Sequence, residues 1–445
     1  MRQLYFSILF ILCSSVLSSA QSDLLQSGPM VGYSTMREVA LWVQTKEVAE
    51  VYFEYWEVGN TSNKFRTSKI QTKKETAFVA NLKADDVLPS KKYNYSLFIN
   101  GTEVKRDYEL SFQTQVLWRS RKDPPNFKFT TGSCVYIAEQ RFEPPTKPYG
   151  GDYEIFETMH KKSPDFMLWL GDNFYLREMD WDSESGFMKR YTHTRSNPEM
   201  QALLGSTHNY AIWDDHDFGS NNSDRSFWNK ELSKKAFKLF WSNPNYVNEG
   251  ITGTFHWADT QFFLLDNRYF RTPNKRVTGD RSILGAEQEQ WLIDALKYSK
   301  ATFKFVALGG QFISTYAKYE NHATYAYASE RERIISKIRS EKIEGVIFLS
   351  GDRHHTELSK LQENPKIYPI YDFTVSPLTA KTYPRTEKEP NLNHVDNTLV
   401  NQRNFGEFSV SGPLTDRKLE VKIFGTKGEL LWKREIRAND LRYGK

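Results

Sequence analysis

The chain has 445 residues, of which 39% are hydrophobic and 15% aromatic, and its formal net charge is +5. This apolar content excludes a disordered or low-complexity protein and provides enough side chains for a sizeable core. The length corresponds to two or three domains. A charge this small for the length gives no signal of nucleic-acid binding and only slightly favours anionic ligands.

The N-terminus has the three parts of a secretory signal peptide. Arg2 supplies the positive charge, residues 4–17 are mostly apolar but too short to span a membrane, and residues 18–20 (Ser-Ser-Ala) form a cleavage site. We therefore predict a signal peptide over residues 1–20, cleavage near Ala20, and a secreted or periplasmic protein. The sequence predicts no transmembrane anchor.

Residues 27–117 alternate between strand-like segments and turn signals, so we predict an N-terminal β-sandwich domain there. The segment from Leu82 to Tyr95 resembles the fibronectin type III pattern, in which a Leu and a Pro turn precede a Tyr-x-Tyr strand. In such a sandwich, Tyr93 forms the hydrogen bond of a tyrosine corner. The region contains no ligand or catalytic constellation, so we predict a structural role for it.

A charged, proline-bearing linker, Arg119–Pro125, precedes a second region in which strands and helices alternate. This alternation is typical of α/β proteins, and we predict a catalytic domain over residues 126–445. Its predicted helices include Arg225–Trp241 and Ala286–Tyr298. A β-hairpin at about 417–436 is predicted to end the domain.

Cys134 is the one cysteine left after removal of the predicted signal peptide, which contains Cys13. It comes shortly after the predicted strand Phe127–Thr131. A lone cysteine is most often a buried core residue, and the alternative is a thiolate metal ligand. The polar motifs that follow other strands favour the ligand interpretation, with ferric iron or zinc as the metal.

Asp172 follows the apolar segment 165–170 and Gly171, which permits a sharp turn. Ligands of α/β proteins bind at the carboxyl ends of strands, so a carboxylate at this position can bridge two cations. Tyr175, three residues further on, can bring a phenolate to one of them. The alternative interpretation is an aspartate that caps a helix or stabilises a turn.

A second apolar segment, Tyr210–Trp213, leads into residues 214–217 (Asp-Asp-His-Asp). Three carboxylates around one histidine are costly to bury unless cations lie nearby. We predict that Asp215 ligates a second cation, that His216 hydrogen-bonds the substrate or its leaving group, and that Asn222 offers a neutral oxygen ligand. The alternative is a solvated acidic turn.

A third apolar segment, Val346–Leu349, leads into residues 351–355 (Gly-Asp-Arg-His-His). Alternate residues of an extended segment point the same way, so Asp352 and His354 can reach the same cation while His355 points elsewhere. A lone histidine is more often a hydrogen-bonded core or surface residue. An Asp-x-His motif at a strand end, in a chain that also contains Asp172, more often marks a ligand site.

Taken together, these motifs resemble the PhoD-like alkaline phosphatases of the metallophosphoesterase (calcineurin-like) superfamily. The resemblance covers about Gly28 to Leu378, including the predicted sandwich. The segments that carry it are Gly132–Cys134, Gly171–Tyr175, Trp213–Asp217, Asn221–Asn222, Leu284–Leu292, Gly351–His355 and Thr374–Pro377. Relatives often have an apolar residue at the position of Arg353, so this side chain either contacts substrate or is solvated.

The resemblance implies an α/β fold, a four-layer αββα metallophosphoesterase sandwich behind a fibronectin-III-like β-sandwich domain. It also implies two cations. The ligands implied for ferric iron, Fe(3+), are Cys134, Asp172, Tyr175 and His354. A second divalent cation, calcium in some members with zinc or manganese as alternatives, is implied at a site formed by Asp172, Asp215 or Asn222, and Asp352.

On this basis we predict an exported, monomeric, metal-dependent hydrolase of phosphate esters, of the alkaline phosphatase D type. Cations polarise the phosphoryl oxygens and lower the pKa of a bound water, and the resulting hydroxide attacks phosphorus. His216 stabilises or protonates the leaving oxygen, and Asp215 is counted with it among the catalytic residues. Arg268 is a candidate phosphate clamp, with a surface ion pair as the alternative.

Two other functions stay open at this point. One is a phosphodiesterase of the phospholipase D type, which differs in substrate and not in chemistry. The other is a non-catalytic carbohydrate- or surface-binding protein in which the second domain is vestigial. The presence of every implied iron ligand, together with Asp352, favours catalysis over binding alone.

Overall fold

The computed structural model describes residues 24–143, 148–279, 281–317, 321–323, 327–383 and 389–444. The predicted signal peptide, residues 1–20, lies outside these ranges. The chain divides into two compact units. The first consists of the described part of Met1–Leu117 together with Arg195–His208, and the second consists of Trp118–Thr194 and the described part of Asn209–Lys445.

The first unit is a β-sandwich. Its strands are β1 (Leu25–Ser34), β2 (Val39–Thr45), β3 (Glu50–Glu57), β4 (Phe65–Arg66), β5 (Ile70–Gln71), β6 (Val79–Ala84), β7 (Lys92–Ile99), β8 (Thr102–Val104) and β9 (Ser111–Gln113). Strands β1, β2 and β6 are antiparallel neighbours in one sheet. The other sheet has the order β4-β3-β7-β8, with β5 paired to β3 and β9 paired to β7.

Alternating side chains of β7 build the core of this sandwich. Tyr93, Tyr95, Leu97 and Ile99 are buried, while the residues between them are partly exposed. The Tyr93 hydroxyl accepts a hydrogen bond from the Leu88 amide at 2.8 Å, so the predicted tyrosine corner is confirmed. The helix Gln201–Ser206 belongs to the same unit, and the Gly205 carbonyl accepts a hydrogen bond from the Tyr95 hydroxyl at 2.6 Å.

The second unit contains two stacked mixed sheets. Its strands are β10 (Phe127–Gly132), β11 (Phe166–Leu170), β12 (His208–Ile212), β13 (Gly253–Trp257), β14 (Thr260–Leu264), β15 (Phe303–Ala307), β16 (Val346–Ser350), β17 (Glu357–Leu361), β18 (Ile370–Thr374), β19 (Asn404–Ser411), β20 (Lys418–Gly425) and β21 (Leu430–Arg437). One sheet contains the order β21-β20-β19-β10-β11-β12, and the other has the order β13-β14-β15-β16-β18-β17. Strands β20 and β21 pair antiparallel, where the sequence predicted the terminal hairpin.

Helices cover the outer faces of these sheets. The further α-helices of the described residues are Glu154–Lys161, Glu184–Arg195, Asp215–Phe218, Lys230–Phe240, Ala286–Tyr298 and Ala328–Ser340. Short 3-10 helices span Lys74–Thr76, Gln140–Phe142, Pro198–Met200, Leu414–Asp416 and Ala438–Leu441. Within the described part of the chain, every helix falls short of the length and apolar character needed to cross a membrane.

Side-chain contacts define the four layers. Between the sheets, the Phe129 ring meets the Phe262 and Phe305 rings edge-on, at centroid distances of 5.2 and 5.5 Å. On the outer faces, Trp169 packs against a helix residue, Phe156, at 6.0 Å. Phe263 packs at 6.2 Å against Trp291 of the helix Ala286–Tyr298. The predicted α/β fold is therefore confirmed.

One predicted helix begins later than the sequence suggested. Arg225–Trp241 was expected to be helical throughout, but the helix spans Lys230–Phe240. The Asp224 carboxylate accepts hydrogen bonds from the backbone and hydroxyl of Ser226, at 2.9 and 2.7 Å. This local turn offers the backbone an alternative to the helix, so the helix cannot start there. The predicted helix Ala286–Tyr298 is confirmed.

Candidate metal centre and active site

Strand ends from both sheets of the second unit deliver polar side chains to one edge. Strands β10 and β11 are parallel, as are β14, β15, β16 and β18, so their carboxyl ends point the same way within each sheet. The residues that follow these ends, and the end of β12, are Cys134, Asp172, Asp214, Arg268, Asp352 and Ser376. The chain topology thus assembles a single site from segments far apart in sequence.

The first cluster contains sulfur, oxygen and nitrogen donors. One donor atom each from Cys134, Asp172 and His354 lie within 4.8 Å of one another. The Cys134 sulfur is 3.5 Å from Asp172 Oδ2. The Tyr175 hydroxyl lies 3.3 Å from the same Asp172 oxygen and 3.0 Å from His354 Nε2. All four ligands implied for iron therefore meet in one place.

Carboxylates dominate the neighbouring clusters. Donor atoms of Asp172, Asp215 and His216 lie within 4.8 Å of one another, and so do those of Asp214, Asp215 and Asp352. Because Asp172 belongs to the first cluster as well, its carboxylate stands between the two sets of donors. This position is the one expected of a bridging ligand.

Four of these residues have a left-handed backbone. The φ angles are 60° at Cys134, 50° at Asp172, 66° at Asp352 and 53° at His354. Residues other than glycine adopt this conformation at a cost, and such strain is concentrated at functional sites, where the surrounding structure enforces it. The turn after each strand thus gives up local stability to aim a donor into the site.

The electrostatics of the site fit bound cations. Burial raises the pKa of Asp172 well above its ordinary value, with a further contribution from the charges of Cys134 and Asp215. Burial also raises the pKa of Cys134 to about 12 and that of Asp352 to about 7. Asp214 Oδ2 and Asp215 Oδ1 are buried without a hydrogen-bond partner. The buried acids outnumber the Arg268 guanidinium beside them, and some of their oxygens are left unsatisfied, so a cation stabilises this environment.

Neighbouring groups fix the orientation of the histidine and the thiol. His354 Nδ1 donates to the Lys381 carbonyl, which leaves Nε2 facing the cluster with its lone pair. The Ser376 hydroxyl accepts from the His354 amide at 2.9 Å and donates to the Cys134 sulfur at 3.1 Å. Ser376 therefore links the two donors from outside the cluster. Its motif contributed to the family resemblance, but the sequence predicts no role for Ser376.

Arg268 lies inside the protein and not at its surface. Its Nε donates to Asp214 Oδ1 at 2.5 Å, its Nη1 donates to the Ser223 carbonyl at 3.2 Å, and the side chain has no exposed area. The alternative of a surface ion pair is therefore wrong. A direct contact with phosphate stays a prediction.

Asp215 differs from Asp172 and Asp352 because its pKa is lowered and not raised. Burial opposes its charge, but His216 and Arg268 outweigh that effect and lower the pKa of Asp215, helped by the Asn222 amide, which donates to Oδ2 at 2.7 Å. The side chain of Asn222 is exposed. The structure thus shows a backbone role for Asn222, and ligation through its side chain stays a prediction.

The remaining motif residues, His216, Asp217 and Arg353, differ in their exposure and in their contacts. His216 is 19% exposed, and its Nε2 lies 4.0 Å from Asp215 Oδ2. Asp217 and Asp214 form a reciprocal capping box at the helix Asp215–Phe218, so Asp217 is explained by local structure.

Arg353 is buried and donates to Glu389 Oε2 at 3.1 Å, so it is not solvated.

Sequence reasoning missed Asp214 as a member of the acidic cluster. Three aspartates surround His216, and spacing alone does not show that Asp214 both caps the helix Asp215–Phe218 and joins the cluster with Asp352. Gly309 is part of the explanation: a Cβ at this position would lie 2.4 Å from Asp214 Cγ, so only glycine leaves room for the carboxylate. No local signal in the sequence connects these two positions.

A four-layer fold with mixed sulfur, oxygen and nitrogen donors at its strand ends defines a protein of the metallophosphoesterase type. The chain belongs to the PhoD-like phosphatase family, whose family model matches residues 129–414. A second family model, a domain of unknown function (DUF7800), matches residues 22–117. The predicted family is therefore confirmed.

Individual relatives agree with this assignment. The chain is 25% identical over 341 residues to Alkaline phosphatase D of Bacillus subtilis (strain 168), covering 65% of this chain but 55% of the relative. It is 26% identical over 147 residues to Purple acid phosphatase 7 of Arabidopsis thaliana, covering 32% of this chain and 42% of that protein. The chain thus spans about half the length of these relatives.

Solved structures support the fold. A structure of PhoD matches with a TM-score of 0.74 and 19% identity, covering 94% of this chain and 91% of the other. The purple acid phosphatase PPD1 of yellow lupin (Lupinus luteus) seeds matches with a TM-score of 0.67 and 12% identity, covering 94% and 76%. At these identities the likeness concerns the fold alone.

Proposed function

We propose that the protein is a metal-dependent phosphoric-ester hydrolase of the alkaline phosphatase D type. The observation that carries this proposal is the convergence of Cys134, Asp172 and His354, whose donor atoms lie within 4.8 Å of one another. Membership of the PhoD-like phosphatase family supports the same reaction class. The Bacillus relative bears the name of an alkaline phosphatase, which also agrees with the proposal.

The donor set fits two different cations. The residues proposed to hold ferric iron are Cys134, Asp172, Tyr175 and His354, since thiolate, phenolate and imidazole suit this metal. The residues proposed to hold calcium, or zinc or manganese in its place, are Asp172, Asp215, Asp352 and Asn222. When bound, such cations supply Lewis acidity toward the phosphoryl oxygens and lower the pKa of water.

His216 is the proposed hydrogen-bond donor to the leaving oxygen. Its backbone amide donates to Asp172 Oδ1 at 3.4 Å, and its ring lies 4.1 Å from the Tyr175 ring, so its position relative to the cluster is fixed. Partial exposure allows contact with a bound ester. Burial lowers the pKa of His216, and the Asp215 carboxylate, 4.0 Å away, opposes this shift and so favours the proton that the leaving oxygen is proposed to receive.

Arg268 is proposed to act mainly by positioning Asp214 and by offsetting its charge. The guanidinium lies between Asp214 and Asp215, with Nη2 3.6 Å from Asp215 Oδ1. It therefore holds the acidic segment in place while substrate and products exchange. We rank the clamp role second, because the guanidinium has no exposed area and already donates to Asp214 and to the Ser223 carbonyl.

The finer assignments are also proposals. Export after cleavage near Ala20, a monomeric state, and domains over residues 27–117 and 126–445 follow from the sequence. Monoester and diester hydrolysis use the same donor set, so a phosphodiesterase of the phospholipase D type is separated by substrate alone. The complete donor set argues against a vestigial site that only binds surfaces.

The decisive experiment compares hydrolysis of p-nitrophenyl phosphate and bis(p-nitrophenyl) phosphate by the purified protein after reloading with ferric iron and calcium. We expect Asp172→Ala to lower kcat/KM for both by a factor on the order of a thousand, because both proposed sites lose a ligand. Asp182→Ala removes an exposed carboxylate from the same unit and is the matched control. Equal activity of wild type and Asp172→Ala would reject the proposal.

Three further measurements test the metals and export independently of activity. Iron bound by Cys134 and Tyr175 should give a visible charge-transfer absorption, and Tyr175→Phe should shift this band. Metal analysis of the native protein should find iron. N-terminal sequencing of exported protein should begin at Gln21. A colourless, iron-free protein with full activity would overturn the iron assignment and leave the reaction class standing.

A further inference from the structure

The solvent-facing surface beside the candidate metal centre is aromatic. Tyr383 is 51% exposed, and the centroid of its ring lies 4.9 Å from that of the His354 imidazole. Tyr149 is partly buried, with its ring 6.1 Å from His354 and 5.8 Å from Tyr175. Tyr136 packs 4.6 Å from Tyr149 on the other side. Rings thus extend from the buried ligands outward to solvent.

A backbone hydrogen bond places Tyr383 beside the proposed metal ligand His354. The Tyr383 amide donates to the His354 carbonyl at 3.1 Å. The backbone carbonyl that orients His354 belongs to Lys381, two residues before Tyr383. These contacts of Lys381 and Tyr383 with His354 place the Tyr383 ring at the edge of the site.

Tyr383 combines exposure with a position beside a proposed metal ligand. Its ring packs against the His354 imidazole, and about half of the residue still faces water. The Lys381 ammonium lies 5.8 Å from the ring centre, so a positive charge borders the same surface. An anion that also carries a flat apolar group matches this combination of a ring and a cation.

We propose that Tyr383, supported by Tyr149, forms an aromatic subsite for the organic group of the substrate. This inference rests on the proposed function and names the substrate class: phosphate esters with an aromatic ring one or two bonds from the ester oxygen. With the phosphoryl group beside His354 Nε2, such a ring can reach the exposed face of Tyr383 at normal stacking distances. A small alkyl group cannot reach it.

The test compares benzyl phosphate with cyclohexylmethyl phosphate. Both esters have primary alcohols as leaving groups, the same number of carbon atoms and a six-membered ring, so they differ mainly in the flat π face. We expect the wild type to prefer benzyl phosphate by about fivefold in kcat/KM, chiefly through KM, since stacking acts on binding.

Substitutions of Tyr383 test whether its ring causes the preference for benzyl phosphate. In Tyr383→Leu the ratio of the two kcat/KM values should fall to about 1, and in Tyr383→Phe it should stay near fivefold. Because the ratio is taken within each variant, a general loss of activity cancels. Tyr298→Leu removes an exposed tyrosine from the end of the helix Ala286–Tyr298 and should leave the ratio unchanged.

The outcomes separate the two proposals. If the wild type hydrolyses both esters equally, or if Tyr383→Leu keeps the full preference, the aromatic subsite is rejected while the phosphatase assignment stands. If the metal-loaded wild type hydrolyses none of these esters or the nitrophenyl esters, the proposed function fails first. Binding of the non-hydrolysable benzylphosphonate, measured by calorimetry for Tyr383→Leu and wild type, then tests the subsite without turnover; equal affinity would overturn it.

Discussion

Asp214 Oδ1 accepts a hydrogen bond from Arg268 Nε at 2.5 Å, and both side chains are fully buried. The same oxygen accepts from Asn267 Nδ2 at 2.7 Å. Arg268 Nη2 also lies 3.6 Å from Asp215 Oδ1. One guanidinium therefore compensates two carboxylates of the acidic motif before any cation binds, and the stability of the metal-free site depends on it.

Arg268→Ala should destabilise the metal-free protein by about 3–5 kcal/mol, because it leaves the Asp214 charge buried without its partner. Urea unfolding followed by circular dichroism measures this loss. The matched control is Lys235→Ala, since the Lys235–Glu184 pair is about half exposed on both sides and should contribute less than about 1 kcal/mol. Similar losses in both variants would contradict a special role for the buried pair.

Cation binding should stabilise the folded protein, because the buried carboxylates then gain positive charge. Free cation at about 100 times its dissociation constant should add about 2.7 kcal/mol to the free energy of unfolding. The urea midpoint should therefore fall when a chelator is added to the wild type and stay unchanged in Asp172→Ala. An unchanged midpoint in the wild type would show that the clusters hold no cation.

The sequence predicts the site residues that belong to short local patterns, and it does not predict contacts between residues far apart in the chain. Asp172 and Asp352 were recognised because each follows an apolar segment and a glycine, which is a local pattern. The buried state of Arg268 could not be predicted, since it results from contacts with Asp214 and Ser223, 54 and 45 positions away. Spacing along one strand carries no information about such partners.

The fold shows the same division between local and distant signals. A short sequence pattern predicted the tyrosine corner at Tyr93. The Tyr93 hydroxyl accepts its hydrogen bond from an amide that is only five positions away. Arg195–His208, by contrast, belongs to the same compact unit as the N-terminal strands. Its sequence lies between α/β segments, and nothing local indicates that Gln201 accepts a hydrogen bond from the Gly28 amide.

His208 should make the first unit sensitive to acid. Its Nε2 accepts from the Gln113 amide at 3.1 Å and its Nδ1 donates to the Gly32 carbonyl at 2.8 Å, so the neutral ring is required. Burial lowers the pKa of His208 to about 4. As the pH falls from about 6.5 to about 4, the unfolded chain binds the proton first, and stability should decrease by up to about 3 kcal/mol.

The matched variant is His208→Gln, because the amide of glutamine can also donate to one backbone group and accept from the other without titrating. Its stability should depend less steeply on pH between about 4 and 6.5 than that of the wild type. Urea titrations at several pH values give both slopes. Parallel slopes would mean that His208 does not control the acid sensitivity.

Tyr93→Phe should cost about 1–2 kcal/mol, because the Leu88 amide loses its acceptor while the ring and its stacking remain. The Phe112 ring lies 5.2 Å from that of Tyr93, and phenylalanine preserves this contact. Tyr298→Phe, at an exposed tyrosine, should change stability by less than about 0.5 kcal/mol. If Tyr93→Phe is as mild as this control, the corner hydrogen bond contributes nothing.

Asp352→Asn should stabilise the metal-free protein while weakening its affinity for the second cation. Burial raises the pKa of Asp352 to about 7, so the folded state disfavours the charge that the carboxylate carries at higher pH. For a raised acid pKa, stability falls as the pH rises from about 4 to 7, and asparagine removes this loss. At pH 8 in chelator, we expect a gain of about 1–3 kcal/mol.

A second substitution separates charge from backbone strain at this position. Asp352 has a φ of 66°, which asparagine tolerates and a β-branched residue does not. Asp352→Val also removes the charge, but the left-handed backbone should cost it about 1–2 kcal/mol relative to Asp352→Asn. Urea unfolding with and without calcium compares the three proteins. If Asp352→Asn is less stable than the wild type in chelator, the carboxylate has a structural partner and is not held in place for a cation.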